Sequence, residues 1–197
     1  MGRVVLLFLA CCLLSCSGRV DTSTANEVAA SERSCPGMPS LDSTMLPADS
    51  VNSARQIFLV SAKRFGDTEA SLSHCLGAPL EVTIDTVTNI HTDEQDNILH
   101  ITYAGIRYSI YRVLADGKEI LFRVEAFAPT DELAFGIRVG VPWSLVLQRL
   151  GTPTGEEQSS PGTLVAYYLI EGFVQETVTF RAENGVVSEI DWDYYID

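Results

Sequence analysis

Twice along this chain a short helical stretch is stopped by the same signal, Leu-Gly-x-Pro: Leu76-Gly77-Ala78-Pro79 and Leu150-Gly151-Thr152-Pro153. Glycine takes the left-handed backbone that closes a helix, and a nearby proline forbids continuation. The stretches so ended, Asp67 to Pro79 and Val141 to Pro153, are each followed by alternating apolar and polar segments and an Asx-Gly turn. Those turns, Ala115-Asp116-Gly117 and Glu183-Asn184-Gly185, are hairpin signals. Strands are expected at about 80–90, 98–104, 106–114 and 119–127, then at 163–170, 173–181 and 186–195. A further helix, capped by Asp49 or Ser50, is expected from Ser50 to Phe65. The recurring order predicts an α+β chain of two tandem modules, residues 50–128 and 129–197. In each, short helices pack on one face of antiparallel sheet. Asp131 to Arg138 leaves little room for a full first helix in the second copy.

Alternation also assigns faces. Ile120, Phe122, Val124 and Ala126 are expected opposite Leu121, Arg123 and Glu125. Val186, Ile190, Trp192 and Tyr194 are expected opposite Val187, Glu189, Asp191, Asp193 and Tyr195. Trp143 and Trp192 are expected in the core.

The N-terminus carries an address. Met1-Gly2-Arg3 is a basic start, and Val4 to Leu14 is an uncharged apolar run of eleven residues. That is too short to cross a hydrocarbon core of about 30 Å as a helix, and the pattern is that of an export signal. Leu13-Leu14-Ser15-Cys16 resembles the lipobox of bacterial lipoproteins. The resemblance implies a signal over residues 1–15, a lipidated Cys16, and a tether over 16–49 rich in Ser, Thr, Ala, Pro and Gly. Cys11, after Leu9-Ala10, is the alternative acceptor. Acyl chains on one Cys would hold the protein on a membrane without spanning it. Ser17, in place of an inner-membrane-retaining Asp, points to the outer membrane, facing the periplasm.

Cys11 and Cys12 would leave with the signal, so Cys35 and Cys75 remain as an even pair in an oxidising compartment. Either they bond and pin the tether to the folded domain, or Cys75 is a small buried hydrophobe. Thirteen basic residues against 26 acidic ones give a net charge of −13, which argues against nucleic acid as a partner.

Residues 50–197, with the lipobox and tether before them, resemble the small outer-membrane lipoproteins of the SmpA/OmlA (BamE) family and, in doubled form, the β-lactamase-inhibitor-protein fold. Val139-Gly140-Val141-Pro142 and Phe65-Gly66-Asp67-Thr68 match the way helices begin in that family. The resemblance implies an envelope protein partner, with this chain as scaffold or inhibitor; it does not imply a reaction, and no cofactor is expected.

The residues themselves carry no Gly-x-Ser-x-Gly, Ser-x-x-Lys, Walker A or His-Glu-x-x-His motif. His91 and His100 bracket the acidic loop Asp93-Glu94-Gln95-Asp96-Asn97, which lacks the Gly and Glu of a calcium loop and reads as a polar turn, not a metal site. Asp191 and Asp193 lie two apart on one strand face and share one solvent, so no separation of their pKa values is expected. The expected partner-binding surface is the open sheet face, with Tyr111, Arg123, Glu125, Asp191, Asp193 and Tyr195. The alternative is an envelope hydrolase or small-ligand carrier, marked by a deep pocket around a buried, shifted carboxylate.

Overall fold

The computed structural model describes residues 51–130, 133–170 and 176–194. All of them belong to the second of the chain's two units, Arg33–Asp197. Three short helices, α1 (Val51–Ser61), α2 (Glu69–Leu76) and α3 (Trp143–Leu150), accompany eight strands. The strands are β1 (Glu81–Thr88), β2 (Gln95–Tyr103), β3 (Ile106–Arg112), β4 (Glu119–Ala126), β5 (Gly155–Ser160), β6 (Thr163–Leu169), β7 (Thr177–Glu183) and β8 (Val186–Asp193).

Both helix stops act as their residues dictate. Gly77 and Gly151 take φ of +83° and +72°, and each donates its N–H four residues back, to Ser73 and Leu147. Leucine there would be strained, since its Cβ crowds the backbone at positive φ. α2 starts at a reciprocal cap: Thr68 Oγ1 accepts from the Ser71 N–H, and Ser71 Oγ accepts from the Thr68 N–H.

The tandem-module expectation is overturned. All eight strands form one antiparallel sheet in the order β1-β2-β3-β4-β8-β7-β6-β5. The joint is β4 against β8, where Arg123, Val124, Glu125 and Ala126 face Asp193, Trp192, Asp191 and Ile190. One apolar core runs under the six inner strands, from Leu99 and Tyr108 through Val124 to Trp192, Phe180 and Tyr168. α1 precedes the first four strands yet sits on the last one. Trp192 Nε1 donates to the Phe58 carbonyl at 3.3 Å and Tyr194 Oη to the Leu59 carbonyl at 2.9 Å. Arg55 of α1 likewise donates to the carbonyls of Leu150 (3.0 Å) and Thr152 (2.6 Å), satisfying the open C-terminus of α3. Neither half has a core or a helix layer of its own. Where the second half would begin with a helix, the described residues hold a single 3₁₀ turn, Ala134–Gly136.

Two β-bulges correct the face assignments. Ser109 pairs with Arg123 but Ile110 with Leu121, so Phe122 is an extra residue in β4 and Leu121, not Ile120, joins the core. Arg181 pairs with Glu189 but Ala182 with Val187, so Ser188 is extra; Val187 is buried and Val186 exposed. A bulge resets the period of two that alternation depends on. Trp192 is fully buried as expected, while Trp143 is half-buried, its ring 5.7 Å from that of Phe180.

Candidate binding surface

The helices cover one face of the sheet. Pairing register defines what the other face presents, because residues directly opposite on neighbouring strands point the same way. One row runs Thr102, Arg107, Glu125, Asp191, Thr179, Tyr167 across β2-β3-β4-β8-β7-β6. The next runs His100, Ser109, Arg123, Asp193, Thr177, Leu169. Two arginines and three carboxylates therefore meet in the middle of the open face, and the row beyond adds Arg181 opposite Glu189.

They form a ladder of ion pairs centred on Arg123. Its guanidinium grips Asp191 with two N–H groups, Nε to Oδ1 at 3.0 Å and Nη2 to Oδ2. It also reaches Glu125 at 3.3 Å and Asp193 at 3.8 Å. Arg107 pairs with Glu125 from the other side at 3.5 Å, and Arg181 with Glu189 at 3.1 Å. A planar guanidinium suits this work because it can serve several carboxylates at fixed angles.

Crowding among the carboxylates changes their chemistry. The Asp191 carboxyl is pushed up from 3.8 to about 6. Burial is the first cause and outweighs the opposing pull of Arg123; Asp193 and Glu125 add to the rise. Asp193 is also raised, again chiefly by burial. The expectation of two equivalent solvated carboxylates fails, because the Asp191 side chain is only 14% exposed beneath Arg123 while that of Asp193 is 53% exposed. Glu125, Glu189 and Asp191 each bring an oxygen within 4.8 Å of the others, a donor set suited to a hard cation. The same carboxylates already face Arg107, Arg123 and Arg181, so an ion-pair ladder is the simpler account of the geometry.

Tyr111 plays a different part from the expected one. Its hydroxyl donates to Asp96 Oδ2, which is buried and also accepts from Asn89 Nδ2 at 3.1 Å, while Asp96 Oδ1 takes the Leu114 N–H at 2.9 Å. These three donors, Tyr111 first, hold the Asp96 carboxyl below its ordinary range, and the same bond raises the Tyr111 phenol. Asp96 is thus a turn-organising acid that locks two neighbouring loops, not part of a cation loop. His100 is on the sheet, with Nδ1 2.9 Å from Ser109 Oγ and Nε2 3.3 Å from Asp85.

Of the residues proposed from sequence, the structure brings Arg123, Glu125, Asp191 and Asp193 together and sets Tyr111 apart. Tyr195, Cys16 and Cys35 lie outside the described residues. Cys75 is disulfide-bonded, and the chain's other cysteines all fall in residues 1–50. Sequence reading missed Arg107 and Arg181; the signal was an Arg on β3, β4 and β7 at positions alternating with core residues.

Two shallow cavities lie elsewhere, one of about 430 Å³ beside Trp143 and Gly162, the other of about 410 Å³ at Ser73, His74, Gly77 and Ala78. Neither includes Asp191 or Asp193. No described helix is long and apolar enough to cross a membrane.

No protein-family model matches this chain, and no curated protein does. Among solved structures it is similar to the crystal structure of the uncharacterized protein yfeY from Escherichia coli, at a TM-score of 0.33 and 13% identity, over 64% of this chain and 88% of that chain.

Proposed function

We propose that this protein is a lipid-anchored envelope protein that binds another protein through the open face of its sheet, as a scaffold or an inhibitor. The observation that carries this reading is the Arg123 ladder, an array of paired charges on the sheet face that the described helices leave uncovered. Charges set on strands lose little side-chain freedom on docking and fix the register of a partner more than they raise raw affinity. The net charge of −13 steers basic surfaces toward it. The N-terminal pattern around Cys16 supports anchoring at the periplasmic side of the outer membrane.

A photo-crosslinking amino acid at Arg107 or Tyr167 on the open face, compared with Gln148 on α3, tests the reading in native envelopes. A discrete adduct from the open-face sites, lost with Asp193→Lys and absent from position 148, is expected. Equal adducts from both faces, or none from the open face, would refute it.

The second reading, an envelope hydrolase, draws on Asp191 at about 6 beside Asp193. The geometry favours it less, since the pair lies on a strand face and neither described cavity reaches it.

A further inference from the structure

The two edges of the sheet are built differently. β5 is short, carries the adjacent acids Glu156 and Glu157, has no large apolar side chain, and is broken by a bulge between Gln158 and Ser160. These are the devices that keep an edge strand from pairing with another chain. β1 has none of the structural ones. Its eight residues pair with β2 in unbroken register, from Glu81 opposite Thr102 to Thr88 opposite Gln95. Val82, Thr83, Ile84, Thr86, Val87 and Thr88 are all β-branched, the side chains that favour a strand. All but Val87 of the eight are exposed, and among the described residues no strand lies beyond β1.

The two faces of this edge have opposite characters. Val82 and Ile84, opposite the core residues Ile101 and Leu99, are 40% and 56% exposed, and Leu80 just before the strand is 75% exposed. The helix layer does not extend over them. On the other face Glu81 and Asp85 place two carboxylates four residues apart, and Asp85 is 70% exposed despite its contact with His100.

We propose that the outer edge of β1 takes up an extended segment of a partner protein in which apolar residues alternate with Lys or Arg. Main-chain hydrogen bonds would add it as a ninth strand. Its apolar side chains would cover Val82 and Ile84, and its cations would face Glu81 and Asp85. Charge decides the partner's sign: a second copy of this acidic chain would set carboxylates against carboxylates, whereas a basic strand is complementary. This surface is separate from the Arg123 ladder, so the two readings stand or fall independently.

The test uses the purified full-length chain and two short fluorescent peptides, one alternating Val with Lys, the other alternating Val with Glu. Anisotropy titration is expected to show the Lys peptide binding at least about tenfold tighter. Glu81→Lys with Asp85→Lys reverses that preference, and Ile84→Lys weakens the preferred peptide by about tenfold while circular dichroism stays unchanged. Gln148→Ala, on α3, leaves it intact. Hydrogen exchange should show newly protected amides at 81–88. The proposal is overturned by equal or absent binding of the two peptides, by a preference that survives the double reversal, or by protection outside β1. Sedimentation showing a dimer that Ile84→Lys dissolves and that excludes the peptide would assign the edge to self-association and overturn it too.

Discussion

Trp192, on the last strand, and Phe58, in the first helix, are joined twice: the indole N–H meets the Phe58 carbonyl at 3.3 Å, and the rings lie 5.5 Å apart. Phe180 stacks on the same Phe58 ring at 5.7 Å. Removing the ring by Phe58→Ala is expected to cost about 3–5 kcal/mol, the usual range for emptying a buried aromatic site. Because the ring ties the first described helix to the last two strands, the whole sheet should lose stability together. Denaturant unfolding followed by tryptophan fluorescence and by far-UV circular dichroism should give one coincident transition, at lower denaturant in the variant. Two separated transitions would mean independent modules after all.

The Arg123–Asp191 pair leads to a pH prediction of definite sign. The folded Asp191 carboxyl titrates near 6 and the unfolded one near 3.8. Between those values the folded state holds more protons, so this group's contribution to stability falls as pH rises from about 4 to about 6. Asp191→Asn removes that contribution. The Tm of the wild type minus that of the variant should shrink across this window and level off above it. A difference that is flat or grows with pH would contradict the assignment.

Removing the cation is a separate case. Arg123→Met leaves Asp191 covered and without its two-pronged partner. The loss should be about 1–2 kcal/mol, between that of an exposed and a buried pair. The Asp191 carboxyl should rise further in an NMR titration, and an unmoved carboxyl would show that Arg123 is not its main counter-charge.

Tyr111→Phe should act on acid stability. Asp96 is held below its ordinary range, so its contribution is present at neutral pH and is lost as pH falls through its folded pKa. Taking away the Tyr111 hydroxyl, the largest cause, raises that pKa and should move acid unfolding to higher pH. An unchanged acid midpoint would return Tyr111 to the list of free surface anchors.

The covalent features can be read directly. A non-reducing peptide map is expected to join the Cys75 peptide to the Cys35 peptide, and Cys16→Ser should move the protein from the membrane fraction to the soluble one. A Cys75 link to another cysteine, or unchanged membrane partitioning, would overturn these two assignments respectively.

The local signals in this sequence were informative and the long-range ones were silent. The Gly77 and Gly151 stops, and the turn at Asn184-Gly185 with φ of +51° and +79°, are chemistry confined to neighbours and could be read without a structure. β5 escaped because Gly155 to Ser160 has no apolar alternation, its place being set by pairing with β6. The bulges at Phe122 and Ser188 have no sequence marker here, so simple alternation assigns Leu121 and Val187 to the wrong face. The pairing of β4 with β8, which turns an expected pair of modules into one sheet, depends on residues far apart in the chain. Asp191 and Asp193 were legible as a pair. Their inequality was not, because it arises from where Arg123 lies.

The place of β8 in the sheet bears on how the protein is made. Seven strands leave the ribosome before the one that must fill the gap between β4 and β7. Any half-sheet formed before then would end in an interior strand, with Val124 on one and Phe180 on the other lacking their β8 neighbours. The export proposed above would carry the chain across unfolded and so keep that interval out of the cytosol.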